Sequence, residues 1–453
     1  MTAAAESWVS KLRCPRCAGR CVDEPPTCTA CRFTFPAYDG IPVVMARPHE
    51  LVDQWRFRLA EFETINESLR ARMIADAATQ TLHPTTRARL ERHAEGMLIH
   101  RGLVVGLFAE AGITPAKRTA PEPDGVPGEG STSSYFHQIH RDWGWDADGS
   151  TENRDALAAV SAVLGSAPRL GAMLVLGAGA CRLAADLHRF GAASLTVAVD
   201  INPLPMIVSR RVLAGLRVRL MEVPVAPPDL AHVAVDRQLF AADGPTTGFV
   251  HLFADALVLP FADASFDTVL TPWFIDQVPR DLATLLPQIR RVLVPGGRWI
   301  NHGPLIYNPA YTGVAARYAA DEVLAIAPTA GLHIEQHRAD RLTYLQSPAC
   351  TRGRRETVLS FVARAGDVEG TSAVPDEPAW LGQPSLAVPR FEGIDGYRAP
   401  HPLFTTVVAL VDGARSTEQI AAILVRDYSL PPAVATAGVT SCLREIWRAT
   451  RGA

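Results

Sequence analysis

FDTVLTPWFIDQVPRDLATLLPQIRRVLVPGGRWINHGPLIYN, residues 266–308, is the stretch that decides the fold. It reads as a strand, a short loop, a helix, a Pro295-Gly296-Gly297 turn and a second strand around Trp299 and Ile300. That alternation belongs to an α/β domain with a parallel sheet. Further upstream, MLVLGAGACRLAADL (residues 173–187) is a buried strand, a glycine turn and a helix. Gly177 and Gly179 let the backbone turn tightly and approach a ligand closely, and the following helix directs its N-terminus at that ligand. Gly177, Ala178, Gly179 and Arg182 are therefore candidate cofactor contacts. LTVAVD ends at Asp200, whose carboxylate can accept both ribose hydroxyls of a nucleoside. FVHLFADALVLP (residues 249–260) sets Asp255 and Ala256 at the end of the next strand. On its own the glycine motif also fits a dinucleotide-binding domain or a purely structural turn.

The order of these elements, with LVPGG leading into the hydrophobic strand RWI, resembles class I S-adenosylmethionine (SAM) methyltransferases. That resemblance implies a Rossmann-like sheet and SAM as cofactor, with Asp255 and Ala256 near the adenine. FID (residues 274–276), WINHGPLIY (residues 299–307), the upstream HRDWG (residues 140–144) and the downstream FVAR (residues 361–364) resemble the carnosine N-methyltransferase family. Its members methylate an imidazole nitrogen. The resemblance implies that Asp276 accepts a hydrogen bond from the second ring N–H, fixing the tautomer and stabilising the developing cation. The competing reading of Asp276 is a helix N-cap or a surface acid. Asn301 and Tyr307 are further catalytic candidates. Trp273 is a pocket or a packing residue. Arg141 and Trp143 close over the cofactor, with Arg141 on its carboxylate, or else form a plain surface pair. The chain departs from the family pattern at four places. Leu176 stands where many methyltransferases carry an acid, which this family also lacks, and Cys181 replaces a third glycine. Asn308 follows the tyrosine where the family has histidine. RRET (residues 354–357) replaces a tyrosine near the terminal strand. The acceptor implied is an imidazole on a different carrier, such as a histidine in a peptide, or a changed acceptor.

Cys14-Pro-Arg-Cys17 and Cys28-Thr-Ala-Cys31 are two knuckles that bring four thiolates around one zinc ion. Disulfides or idle cysteines are the alternatives, and a chain without a signal peptide disfavours disulfides. With the YDGIPVVM ending, the module at 1–48 resembles the Trm112-like zinc ribbon, so the metal is expected to be structural. Residues 49–112 carry apolar residues at helical spacing (Trp55, Leu59, Phe62, Ile65, Leu69) and read as helical. The methyltransferase domain is placed at 135–365, between Pro/Gly-rich stretches at 114–134 and 366–400. The tail, 400–453, is helical. Its Asp412-Gly413 turn and the helix start at Ser416-Thr417-Glu418 resemble PqqD-like modules, small winged helices that bind leader peptides. A plain helical packing module or a DNA-binding winged helix would look alike.

The net charge of −3 gives no overall attraction to nucleic acid or anionic membrane. No apolar run is long enough to span a bilayer, so a cytoplasmic protein is expected. The leading function is SAM-dependent N-methylation of an imidazole or similar nitrogen, on a small molecule or a ribosomal peptide docked by the tail. The alternatives are a catalytically degenerate adaptor on the same fold, an RNA or protein methyltransferase, and an NAD-dependent oxidoreductase.

Overall fold

Leu174, Val175 and Leu176 are fully buried, and they lie at the centre of the sheet because both faces of a parallel strand are covered. A computed structural model describes residues 8–116, 135–166, 169–191, 193–278, 282–308, 312–366, 379–382, 385–391, 394, 402–428 and 432–451. In chain order the first elements are the short strands β1 (Cys21–Val22), β2 (Thr27–Cys28), β3 (Ala37–Tyr38) and β4 (Ile41–Pro42). Helices α1 (Pro48–Ala77), α2 (Pro84–Glu110), α3 (Phe136–Trp143) and α4 (Glu152–Leu164) follow. Then come β5 (Gly171–Leu176), α5 (Arg182–Phe190), β6 (Ala193–Asp200), α6 (Pro203–Leu213), β7 (Val218–Glu222), β8 (Val235–Leu239) and β9 (Phe249–Phe253). The unit closes with β10 (Phe266–Pro272), α7 (Leu282–Val292), β11 (Leu293–Gly303), α8 (Ala320–Ile326), β12 (Leu332–Tyr344) and β13 (Arg354–Ala365).

The main sheet runs β12-β13-β11-β10-β5-β6-β9. All neighbours are parallel except β13, which is antiparallel to both β11 and β12. A reversed strand inserted between two of the others is the class I methyltransferase order, and it separates this sheet from an all-parallel dinucleotide-binding one. Strand order reverses at β5, which is flanked by β6 and β10, so the crevice above their carboxyl ends is the ligand position of an open α/β sheet. The Pro-Gly-Gly expected as a turn before the strand around Trp299 lies inside β11. The pairing of β10 jumps from Phe266↔Leu293 to Thr268↔Arg298, so residues 294–297 form a bulge in a continuous strand. Gly296, at φ +72°, supplies the left-handed residue that the bulge needs.

The cysteine module is stitched to this sheet. Leu12 bridges Phe261 and Val43 bridges Phe253, while Arg13 and Val44 donate to the carbonyls of Pro260 and Phe253. Trp8, Leu12 and Phe35 share one hydrophobic core with Leu174, Val197 and Leu252. The region of helical spacing carries two long helices. Its apolar stripe is buried at Trp55, Leu59 and Phe62, but Ile65 is 54% exposed, so the stripe stops short of the expected length.

The chain divides into two compact units near residue 367. The second holds α9 (Ala379–Gly382), α10 (Pro402–Leu410), α11 (Thr417–Tyr428) and α12 (Pro432–Arg451) around Trp380, Val407, Ile420, Leu443 and Trp447. Asp412 accepts from the Ala414 and Arg415 amides across the expected turn. Ser416 and Gln419 bond reciprocally as a capping box at the start of α11. The only β contact among its described residues is the bridge Ala387↔Ser416. The Pro/Gly-rich stretches 114–134 and 366–400 fall largely outside the described residues.

Candidate active site

The turn after β5 is held from two sides. Ala178 donates to the Val199 carbonyl at 3.0 Å, and the Gly179 amide donates to Asp200 Oδ2 at 2.7 Å. From the other side, Trp143 Nε1 donates to the Ala180 carbonyl at 2.8 Å. Gly177 has φ +64°, and a Cβ there would lie 2.1 Å from the Phe274 ring. Gly179 has φ +55°, and a Cβ there would meet nothing within 4 Å, which leaves open space beside the turn. Cys181 keeps the left-handed conformation, φ +66°, that a third glycine would take without strain.

Asp200 stands at the end of β6. Its Oδ1 accepts from the Ile201 and Asn202 amides, and burial pushes the carboxyl up against those bonds. Asp255, just past β9, accepts from the Leu257 amide at 2.8 Å, and Ala256 is buried beside it. Both strand ends lie beneath α1: Trp55 Nε1 donates to the Ile201 carbonyl at 2.9 Å, and its ring is 4.6 Å from Phe253. Gln54, next to Trp55, is 6% exposed, and neither of its amide atoms has a hydrogen-bond partner. Helical spacing puts it about 100° around α1 from Trp55, off the apolar stripe, so the sequence pattern does not mark it.

Helix α3 reaches Trp273 through Arg141. The guanidinium pairs with Asp142 at 2.7 Å and lies 4.5 Å over the Trp273 ring, and its Nη1 is buried without a partner. One helical turn earlier, Gln138 Oε1 is also buried and unpartnered, a second polar group missed in the sequence. Asn153 supports α3 by donating to the Arg141 carbonyl at 2.8 Å. Arg182 has its guanidinium on Asp146, Asp186 and the Asp142 carbonyl, so it braces α3 against α5.

Beyond β10 the chain bends sharply at Trp273, φ +46°, whose amide donates to the His302 carbonyl at 2.6 Å. The indole meets the His302 ring edge-on at 4.7 Å, and its Nε1 is buried without a partner. Asp276 is 1% exposed. Its Oδ2 accepts from the Ile306 amide at 2.9 Å, and Oδ1 is buried with no partner. Burial, reinforced by repulsion from Glu356, pushes its carboxyl up from 3.8 to about 6. The Ile306 bond ties the loop after β10 to the segment after β11, and Tyr307 is the next residue, half-buried. Asn301 lies within the sheet, accepting from Thr271 Oγ1 at 2.9 Å and donating to the Leu359 carbonyl at 3.1 Å. Both ends of its amide are engaged in joining β10, β11 and β13. His302 Nδ1 is bonded to Ser360 Oγ at 2.8 Å, and burial lowers the ring to about 3, so it is neutral.

In the cysteine module, the Cys14, Cys17, Cys28 and Cys31 sulfurs all lie within 4.8 Å of one another. The Cys14–Cys31 and Cys17–Cys28 separations are 3.7 and 3.5 Å. Zinc–sulfur bonds of ~2.3 Å in a tetrahedron place sulfurs roughly 3.8 Å apart, so this donor set fits zinc without rearrangement. All four are free thiols.

Residues 228–366 match the family model described as Carnosine N-methyltransferase. The matched stretch contains Asp255, Trp273, Asp276, Asn301 and Tyr307, and excludes the glycine turn and the cysteine module. Among curated proteins, "Carnosine N-methyltransferase unmet" of Drosophila melanogaster is 29% identical over 109 residues, 23% of each chain. Carnosine N-methyltransferase of Dictyostelium discoideum is 46% identical over 46 residues, 10% of each. The chain thus spans less than a quarter of the length of these relatives. Among solved structures, an S-adenosylmethionine dependent methyltransferase from Mesorhizobium loti is 18% identical, with a TM-score of 0.32 and coverage of 48% of this chain and 99% of that one. A SAM dependent methyltransferase from Aquifex aeolicus is 12% identical, with a TM-score of 0.31 and coverage of 49% and 95%.

Proposed function

We propose that this protein is a SAM-dependent N-methyltransferase acting on an imidazole or similar ring nitrogen of a small molecule or a peptide. The observation that carries the reading is Asp276, a buried carboxylate with one unpartnered oxygen just past β10, inside the segment that matches the N-methyltransferase family. For the cofactor, the open space beside Gly179, the Asp200 carboxylate and the unpartnered Arg141 Nη1 match a nucleoside joined to an amino-acid carboxylate. Gly177, Ala178, Gly179, Asp200, Asp255 and Arg141 would hold it, with Ala256 lining the adenine, Trp143 and Arg182 fixing the turn, and Trp273 closing the side. The cofactor supplies a sulfonium methyl, so an S–CH3 bond breaks as an N–CH3 bond forms. Asp276 accepts the hydrogen bond of the other ring N–H, keeps the attacking nitrogen's lone pair exposed, and takes that proton as the ring becomes cationic. Tyr307 borders the acceptor, and Asn301 sets the strand geometry beneath it.

Zinc on Cys14, Cys17, Cys28 and Cys31 would be structural, in a Trm112-like ribbon. The C-terminal helices would act as a PqqD-like module for a leader peptide. Eight free cysteines suit a reducing, cytoplasmic setting. Among the described residues, no helix is long and apolar enough to cross a membrane. The test is mass-spectrometric transfer of a labelled methyl from SAM to histidine, carnosine and histidine-containing peptides, with wild type and Asp276→Asn. A methylated imidazole that disappears in the variant supports the reading. SAM binding with no product on any imidazole overturns it.

A further inference from the structure

Glu356 occupies an unusual place. Strand β11 ends at Gly303, opposite Leu359 of β13, so residues 354–358 extend past it along β12. Glu356 therefore stands at the carboxyl end of β11, where residues 304–308 carry Ile306 to Asp276. In the pleat, Arg354, Glu356 and Ser360 share one face with Tyr344 and His302, their cross-strand partners' side. Trp273 touches both Tyr344 and His302 on that face. Glu356 is 5% exposed, and its Oε2 has no hydrogen-bond partner. Its Oε1 lies 2.6 Å from Arg354 Nε, but at an angle that makes no hydrogen bond, and the Arg354 side chain is 60% exposed. The Arg354 guanidinium lies 4.7 Å over the Tyr344 ring, and an ion pair held by so exposed a partner is weak. Burial raises the Glu356 carboxyl, and Glu356 in turn helps to raise Asp276. Glu356 thus keeps an unpartnered oxygen at the carboxyl end of β11, within electrostatic reach of Asp276 and of the buried Arg141, and a ligand cation placed there would relieve both carboxyls.

We propose that Glu356 is a specificity-determining acid, and that the methyl acceptor is a ring nitrogen compound bearing a protonated amine, with the ring N–H on Asp276 and the ammonium on Glu356. This rests on Asp276 lining the acceptor site. An acceptor whose side arm is anionic would bring a third negative charge to Glu356 and Asp276, and is rejected. Arg354 holds Glu356 until the ligand amine replaces it.

The experiment is titration calorimetry on the full chain loaded with S-adenosylhomocysteine at pH 7.5, using histamine, 4-methylimidazole and imidazole-4-acetate as probes. Histamine should bind tighter than 4-methylimidazole by roughly tenfold, the size of one charge-assisted hydrogen bond, and imidazole-4-acetate more weakly than either. Glu356→Gln should bring histamine down to the affinity of 4-methylimidazole, and Arg354→Gln should tighten histamine. S-adenosylhomocysteine affinity in each variant reports whether the fold is retained. Imidazole-4-acetate binding as well as histamine, or unchanged histamine affinity in Glu356→Gln, overturns the proposal and leaves the imidazole reading standing. If none of the three binds wild type that holds S-adenosylhomocysteine, the acceptor reading fails, and this proposal with it.

Discussion

Asp276 is placed where its charge is unfavourable to the fold. Its folded carboxyl titrates at about 6 against an ordinary 3.8, so the neutral form is the one the fold prefers. Its contribution to stability is therefore fully present below about pH 4 and is lost as pH rises through 6. Asparagine is neutral at every pH and keeps an oxygen for the Ile306 amide. Asp276→Asn should accordingly be more stable than wild type at pH 8, by on the order of 1–3 kcal/mol, and equal to it near pH 3.5. Thermal melts at the two pH values check this, and a variant less stable at pH 8 would show that the carboxylate is instead part of a stabilising pair. The same variant should lose methyl transfer while retaining S-adenosylhomocysteine. In wild type, kcat/KM for the acceptor should rise through about pH 6 as Asp276 ionises. Stability and activity moving in opposite directions is the mark of a residue kept for chemistry.

At the scale of the element, the site is made by three bends that meet. The turn after β5, the reversal at Trp273 after β10 and the segment after β11 are locked together by Phe274 over Gly177 and by Ile306 on Asp276. Gly177→Ala must push its Cβ out of the Phe274 ring while holding φ +64°. It should cost on the order of 2–4 kcal/mol and abolish S-adenosylhomocysteine binding, with Phe274→Ala in the same chain restoring part of the stability in a double-mutant cycle. Additive losses would mean that the two residues do not press on each other. Beneath the bends, Trp299 Nε1 donates to Thr271 Oγ1, which donates to Asn301 Oδ1. Asn301→Leu leaves the Thr271 hydroxyl only its longer bond to the Ile300 carbonyl, at 3.3 Å, and removes the side-chain donor to the Leu359 carbonyl, and should lower stability by roughly 1–3 kcal/mol in urea unfolding. The strands themselves were legible in the sequence, since β5, β6 and β9 are apolar runs with a glycine or an acid at or just past their ends, and β10 is an apolar run before the loop that carries Asp276. The bulge in β11 was not, because Pro-Gly-Gly suits a turn and a bulge equally, and only pairing with β10 decides between them. The orphaned polar atoms of Gln54, Gln138 and Glu356 were hidden as well. A local pattern shows which residue is polar, and only long-range packing shows which polar residue is left without a partner.

At the scale of the whole first unit, the cysteine module is joined to the sheet at β9 and the segment after it. Knuckle spacing is local, so along the chain the module reads only as a segment of its own at 1–48. Nothing in that spacing discloses that Leu12 would bridge Phe261 or that Val43 would bridge Phe253, two residues before Asp255. Arg210 and Arg211 on α6 extend the junction by pairing with Asp39, itself largely buried. The module has too few apolar residues to fold alone, so on the zinc reading the metal supplies its folding energy. Removing the metal should then release Leu12 and Val43 from β9 and the segment after it, and the adenosine side of the site should loosen with them. Purified protein should contain zinc, at one ion per four-cysteine site, by elemental analysis. A strong chelator should lower both the melting temperature and the S-adenosylhomocysteine affinity, and added zinc should restore both. Cys17→Ser should do the same without chelator, since on that reading Cys17 would be an exposed ligand, and it lies outside the shared core. Zinc loss with unchanged cofactor affinity would mean that the bridges persist without the metal and that the module is an independent attachment. Loss of both together would make the ribbon a working wall of the cofactor site, although its cysteines lie more than a hundred residues from the glycine turn in sequence.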